Sequence, residues 1–174
     1  MKIKCQVQRL DMDVWSYALD VPLNQALEFV SGEDRRVICK IGPKVKFHCA
    51  LMPNGSNGYY IILNKDRRQK LGLVQGQVVD IELEKDNSEY GMSISEELQE
   101  VLLQDEAASK AFHILTPGKQ RSLIYWVDNV KSSEIKIRRA IVLTSHLLLN
   151  EKPDFKLLNQ ELKGANQLAK LSKG

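Results

Sequence analysis

Basic and aromatic side chains concentrate in residues 116–146, and side chains of these types can hold an anion or a partner protein. Guanidinium and ammonium groups neutralise phosphate or carboxylate, while Tyr and Trp rings supply contact area. A second basic cluster, Lys-Asp-Arg-Arg-Gln-Lys, occupies residues 65–70. The candidate binding residues from the two clusters are Arg67, Arg68, Arg121, Tyr125, Trp126, Lys131, Arg138 and Arg139.

The charge of the 174-residue chain is unevenly placed, although the net charge is only +3. Residues 93–109 contain five acidic residues and no basic one, whereas residues 110–174 contain twelve basic and five acidic residues. A basic region attracts an anionic partner, but basic side chains also serve simply to keep a surface soluble. Both interpretations stay open from the sequence.

Signatures of catalysis and of metal binding are missing from the sequence. It has no GxSxG, no HExxH and no phosphate-binding glycine loop. His48 falls on the outward face of a predicted strand, where a general base could lie, but a lone histidine there is more often solvated. Cys5, Cys39 and Cys49 form no CxxC pair and fall at inward strand positions, which favours buried thiols. We expect no enzyme activity, no cofactor and no metal.

The helix that carries the aromatic pair is predicted from its capping signals. Thr116 suits the N-cap and Pro117 the first helical position, where a missing N–H costs nothing. Lys131 is expected to close the helix, because the macrodipole favours a cation there. The apolar stripe of this helix comprises Leu123, Ile124, Val127 and Val130.

A second helix is predicted from Ser132, Ser133 and Glu134 to about Leu149, since serines cap and an acid suits the first turn. After Arg139 few polar residues remain, so its second half should be buried on several sides. The predicted inward stripe comprises Ile137, Ala140, Ile141, Thr144 and Leu148.

The first ninety residues alternate apolar and polar side chains in six short runs, which is typical of half-buried strands. A short helix whose Leu23, Ala26, Leu27 and Val30 share one face should follow Pro22. Another should span residues 65–71 between an Asn64 cap and Gly72. Closure would remove exposed edges, so we predict a small antiparallel β-barrel. The inward strand residues are Ile3, Cys5, Val7, Trp15, Tyr17, Leu19, Val21, Val37, Cys39, Ile41, Val45, Phe47, Cys49, Leu51, Tyr59, Ile61, Leu63, Val79, Ile81 and Leu83.

The predicted fold class is therefore α+β, with the barrel before a helical domain. A polar segment separates the two, giving a barrel domain at 1–86, a linker at 87–95 and a helical domain at 96–174. The helical domain should open at Ser93, which has capping-box spacing to Glu96. Asp105 is either a break or an N-cap between the next helices.

A last helix should begin near Pro153 and Asp154, end at Gly164 and leave the final ten residues frayed. No apolar run reaches the length needed to cross a bilayer, and the N-terminus has no segment of signal-peptide type. We therefore expect a cytoplasmic protein.

The helical signature resembles the YdeI/OmpD-associated, or bacteriocin-protection, family. The residues that carry this resemblance are Thr116, Pro117, Arg121, Tyr125, Trp126, Val127, Lys131, Glu134, Arg138, Arg139 and Ala140. The N-terminal half is similar to a small barrel domain of unknown function that often precedes it. That similarity runs through Leu51-Met52-Pro53, the Tyr59-Tyr60 strand, Asn64-Lys65 and Leu71-Gly72-Leu73 with Gly76. The resemblance implies a bacterial cytoplasmic protein linked to envelope stress and to tolerance of cationic antimicrobial peptides, with no catalytic residue.

Two functions compete on these observations. The first is a non-enzymatic adaptor that binds a protein or peptide partner, with Tyr125 and Trp126 as anchors, because aromatics beside arginines are typical of interface hot spots. The second is a nucleic-acid-binding regulatory protein, since the basic clusters could neutralise phosphates. Residues 64–84 also resemble the turn of swapped-hairpin transcription regulators of the AbrB type.

Overall fold

The computed structural model describes residues 1–11, 17–150 and 152–171. The chain forms two compact units, Met1–Met92 and Ser93–Gly174, called here the barrel unit and the helical unit. Their boundary lies within the segment 87–95, in which Tyr90 and Gly91 are buried. The predicted α+β class, with an N-terminal antiparallel barrel followed by helices, is confirmed.

The barrel unit contains seven strands and two short helices in its described part. They are β1 (Lys2–Arg9), β2 (Tyr17–Pro22), α1 (Leu23–Ala26), β3 (Arg36–Ile41), β4 (Val45–Ala50), β5 (Met52–Pro53), β6 (Gly58–Leu63), α2 (Lys65–Lys70) and β7 (Val78–Lys85). The strands pair antiparallel in the order β4-β3-β7-β1-β2-β6-β5, and β4 approaches β6 to bring the sheet close to closure. Six strands were expected; the seventh is β5, whose two residues lie outside the six alternating runs.

The core of the barrel unit consists of the inward side chains of the alternating strands. Leu19, Val37, Cys39, Ile61 and Leu83 are completely buried, as period-two alternation predicts. Cys49 is only half-buried, and Trp15 lies outside the described residues. The alternation therefore places the core correctly over most of the barrel.

The two short helices of the barrel unit differ in how well the sequence predicts them. The Asn64 side chain accepts a hydrogen bond from the Arg67 N–H at 2.8 Å, and Gly72 follows α2 with φ +61°, so both capping predictions are confirmed. In α1 only Ala26 is buried, whereas Leu23 and Leu27 are exposed. Val30, beyond the end of α1, also packs against the barrel core, so the predicted apolar face is correct for Ala26 and Val30 and wrong for Leu23 and Leu27.

The helical unit contains α3 (Glu96–Gln104), α4 (Glu106–His113), α5 (Pro117–Asp128), α6 (Ser133–Leu149) and α7 (Phe155–Leu171). Helix α6 packs against each of the other four. The core of the helical unit contains Leu98, Phe112, Leu123, Leu143 and Leu158, all completely buried. Among the described residues no helix is long and apolar enough to span a membrane.

Several predicted helix ends are shifted in the structure. Ser95, rather than Ser93, is the N-cap of α3. Asp105 and Ser132 are N-caps as expected, whereas Thr116 occupies the N-cap of α5 without a side-chain hydrogen bond. Helix α5 ends at Asp128, so Lys131 does not close it.

Helix α7 continues through Gly164 to Leu171, whereas the sequence predicted an end at that glycine. The predicted fraying of the last ten residues is therefore wrong as far as Leu171. A glycine inside a helix costs about 1 kcal/mol relative to alanine. Contacts with α6 on both sides of Gly164, through Glu161 and Asn166, compensate for that cost.

The inward stripe predicted for α6 is largely wrong. Ala140 and Thr144 are buried, but Ile137, Ile141 and Leu148 are 42%, 51% and 48% exposed. The covered face instead contains Val142, Leu143, His146 and Leu147. A helix that is apolar on several sides has more than one possible inward face, and periodicity alone does not choose between them.

Candidate functional site

The arginines of α2 lie against aromatic rings of the barrel unit. The guanidinium carbon of Arg67 is 4.1 Å from the centroid of the Phe47 ring, and that of Arg68 is 4.4 Å from the centroid of the Tyr17 ring. Both side chains are half-buried, and burial lowers the pKa of Arg67. In the described parts of the chain neither forms an ion pair with a carboxylate. They are oriented by cation–π contact, which leaves their polar edges available.

Trp126 joins α5 to the two helices that follow. Its indole Nε1–H donates to Oδ1 of Asn159 at 3.1 Å. Arg139 of α6 donates from Nη1 to the Trp126 carbonyl at 2.5 Å, and its guanidinium lies 5.4 Å from the Trp126 ring. Trp126 is half-buried, so it is mainly a packing element between helices.

Arg138 performs a similar task one residue earlier. Its Nη1 donates to Oδ1 of Asn166 on α7 at 2.7 Å, and its Nη2 donates to Glu134 at 2.8 Å, one helical turn away. Both terminal nitrogens of the guanidinium are therefore engaged within the helical unit. An anion would have to displace these partners to bind Arg138.

The remaining predicted residues of the helical unit lie on α5 and just beyond its end. Tyr125 is 60% exposed on α5, Arg121 is half-buried on the same helix, and Lys131 is exposed beyond its end. The structure thus brings Trp126, Arg138 and Arg139 together beside α7, whereas Arg67 and Arg68 belong to the barrel unit.

Asp128 forms a tertiary contact that the sequence did not predict. Its carboxylate accepts hydrogen bonds from the backbone N–H of Ser95 at 2.9 Å and from the Ser95 hydroxyl at 2.5 Å. The end of α5 is thereby tied to the start of α3. An acid in the last turn of a helix opposes the macrodipole, and that unfavourable position was the available signal that Asp128 has a partner elsewhere.

His146 is a second overlooked residue, with a completely buried side chain. Its Nε2 accepts the backbone N–H of Asp154 at 3.1 Å, so the ring proton lies on Nδ1, which donates to Glu161 at 2.9 Å. The neutral ring therefore fastens the start of α7 to α6. Glu161, a half-buried acid two turns into the predicted final helix, gave no signal of this contact.

A groove with an apolar floor runs between α3 and α6. It has a volume of about 710 Å³ and is lined by one face of each helix. The floor is formed by Val101 of α3 with Ile137 and Ile141 of α6. Its polar lining residues are Glu96, Glu97, Glu100, Gln104, Asp105, Thr144 and Ser145.

The acids of the groove differ in how far they are already engaged. Hydrogen bonds from the Glu97 backbone N–H and from the Ser133 hydroxyl, with a weaker contribution from Lys136 at 3.8 Å, hold the pKa of Glu97 below its usual range. Asp105 caps α4 by accepting the Ala108 N–H at 2.9 Å. Glu96 and Glu100 form no ion pair with any described cation, although Glu100 accepts a hydrogen bond from the Gln104 amide at 2.9 Å. These two carboxylates are the ones available to a partner.

His48 of β4 was expected to be solvated, but it has a buried partner. Its Nδ1 is 2.9 Å from Asp86, whose side chain is completely buried and also accepts the Ser88 hydroxyl at 2.5 Å. Burial would raise the pKa of Asp86, but the hydrogen bonds from Ser88 and His48 outweigh it and lower that pKa. Within the described residues no group of three or more His, Cys, Asp and Glu side chains could hold a metal ion.

The chain thus combines a small antiparallel barrel unit with a helical unit that carries an open groove. Residues 6–83 match the Domain of unknown function (DUF1905), and residues 92–148 match the family described as Bacteriocin-protection, YdeI or OmpD-Associated. The helical unit is therefore similar over residues 92–148 to the bacteriocin-protection, YdeI or OmpD-associated family, and the barrel unit is similar over residues 6–83 to DUF1905. The predicted resemblance is confirmed for both parts. Comparison with curated proteins and with solved structures gives no match.

Proposed function

We propose that this chain is a non-enzymatic cytoplasmic protein that binds a polypeptide partner in the groove between α3 and α6. This binding contributes to protection against bacteriocins. The observation that carries the proposal is the half-exposed apolar floor, in which Ile137 and Ile141 are 42% and 51% exposed. Contiguous exposed apolar surface with a polar rim is characteristic of interaction sites. The similarity to the bacteriocin-protection family supports the biological setting.

The predicted aromatic anchors support the proposal less than the groove does. Trp126 is engaged with Asn159 and Arg139, and of the pair only Tyr125 offers an exposed ring. Interface energy generally comes from a few apolar anchors that a partner can surround. Ile137 and Ile141 fit that description better than Trp126.

Survival of bacteria under peptide challenge tests the proposal. A strain lacking this protein should be complemented by the wild-type chain and challenged with a bacteriocin. We expect complementation to raise survival, and the double variant Ile137→Ser, Ile141→Ser to lose that gain because the partner loses its apolar contacts.

Ile114→Ser is the matched control for this experiment, because Ile114 is 83% exposed in the same unit but does not line the groove. It should protect like the wild-type chain. Equal survival with the groove variant and the wild-type chain would overturn the proposed site, and no gain from the wild-type chain would overturn the proposed role.

Nucleic-acid binding through α2 is the second candidate, favoured by two arginines that lack carboxylate partners in the described chain. Lys65 and Lys70 are exposed on the same helix. Phosphate contacts would appear as a steep loss of DNA affinity between about 50 and 200 mM salt. Lys65→Gln with Lys70→Gln should then reduce the logarithmic salt slope by about two. Absence of binding at the lower salt concentration would eliminate this candidate.

A further inference from the structure

The shape of the groove between α3 and α6 fits a helix rather than an extended strand. Its walls are two helices, so it offers side chains and no unpaired strand edge to a partner. A volume of about 710 Å³ is large enough for several side chains. Recognition of this kind relies on apolar side chains spaced along one face of a bound helix.

The apolar floor continues along α6 beyond the groove. Ile137, Ile141 and Leu148 are separated by four and seven residues, so they share one face. At 1.5 Å per residue this stripe is about 16 Å long, or three turns. A partner helix with apolar residues repeating every three or four positions would cover it over that length.

The negative charge of the groove favours a partner of positive charge. Residues 93–109 contain five acids and no base. Acids in the first turn of α3 complement the macrodipole, which explains Glu96 and Glu97 as helix-stabilising residues. Glu100 lies beyond the first turn, and that explanation does not extend to it. Glu96 and Glu100 together leave negative charge beside the apolar floor, with no ion-pair partner in the described chain.

We propose that the occupant of this groove is a cationic amphipathic helix, with its apolar stripe on Val101, Ile137 and Ile141 and its lysines or arginines beside Glu96 and Glu100. The inference rests on the proposed function and names the class of partner. An anionic helix and a nucleic acid are disfavoured by the same carboxylates, because like charges across an interface oppose association.

Fluorescence anisotropy of a labelled synthetic peptide tests this inference on the full-length chain. The probe is an 18-residue peptide of leucine and lysine, with leucines repeating at three- and four-residue spacing. One comparison peptide has the same composition in scrambled order, and another replaces every lysine by glutamate. We expect the patterned cationic peptide to bind at least about tenfold more tightly than either of them.

Charge variants locate the peptide on the protein. Glu96→Gln with Glu100→Gln should weaken binding about tenfold, since two ion pairs are lost. Glu28→Gln with Glu33→Gln makes the same change in net charge at exposed acids of the barrel unit and should leave the affinity unchanged. Circular dichroism of each variant confirms that the helices persist.

Three outcomes would overturn the inference: equal affinity for the patterned and scrambled peptides, equal weakening by both pairs of charge variants, or a concentration-dependent dimer of the protein that buries Ile141. The last would make a second copy the occupant. If the cationic peptide does not bind but the groove variant still loses bacterial survival, the proposed function is retained and the partner is of a different class. Tight peptide binding without any effect on survival would contradict the function and retain the site.

Discussion

The barrel unit and helix α6 use apolar residues in different ways. In the barrel the inward residues of the alternating strands are mostly buried, and the exposed apolar residues are scattered, with Met52 and Val78 on strands and Leu27 and Val74 outside them. Helix α6 buries Leu143 and Leu147 on one side and leaves Ile137, Ile141 and Leu148 half-exposed on another. The inward residues of the barrel strands form its core, whereas α6 carries a second apolar face that the helical unit leaves half-exposed.

Matched leucine substitutions in α6 should give the largest contrast between its two faces. Leu143→Ala removes a completely buried side chain and should lower the free energy of unfolding by about 3 to 4 kcal/mol. Leu148→Ala removes one that is 48% exposed and should cost less than about 1 kcal/mol. Urea unfolding followed by circular dichroism measures both. Similar losses for the two variants would show that the second face is also needed for folding.

Replacing both arginines of α6 should have the next largest effect. Arg138→Ala with Arg139→Ala removes hydrogen bonds to Asn166 and to the Trp126 carbonyl, and should lower the free energy of unfolding by about 2 to 3 kcal/mol. The initial interpretation of these arginines as an anion-binding pair predicts an unchanged fold instead. Thermal unfolding distinguishes the two, with Lys131→Ala as an exposed control that should unfold like the wild-type chain.

The smallest predicted effect is a pH dependence confined to the barrel unit. The folded pKa of Asp86 is lowered, so its carboxylate stabilises the fold above the unfolded pKa of about 3.9, and this contribution is lost as pH falls through the folded value. Asp86→Asn should remove that part of the acid sensitivity. Urea unfolding at pH values between about 3 and 6 measures it, and an unchanged acid slope in the variant would contradict the assignment.

The sequence predicts the barrel well because a period of two leaves a single choice of inward face. The caps of α2 are equally predictable, since Asn64 and Gly72 form local structure with residues close to them in sequence. Contacts between distant residues were not readable in the same way. Nothing in the local sequence pairs Asp128 with Ser95 or His146 with Glu161, because those contacts depend on how the helices pack.

The candidate site was missed for a related physical reason. Ile137 and Ile141 were correctly recognised as an apolar stripe, but they were assigned to the core. The acids of residues 93–109 were also noticed, yet only the packing of α3 beside α6 places them next to that stripe. The basic residues are the more conspicuous feature of the sequence, but Arg138 and Arg139 form hydrogen bonds with neighbours within the helical unit.

Hydrogen exchange of the full-length chain, with and without the patterned leucine and lysine peptide, tests most directly whether the spare face of α6 is a binding surface. We predict slower exchange in residues 96–105 and 137–148, because a bound helix excludes solvent and stabilises both walls of the groove. Strands of the barrel unit should exchange at unchanged rates. Protection confined to the barrel, or no protection at a saturating peptide concentration, would contradict the account.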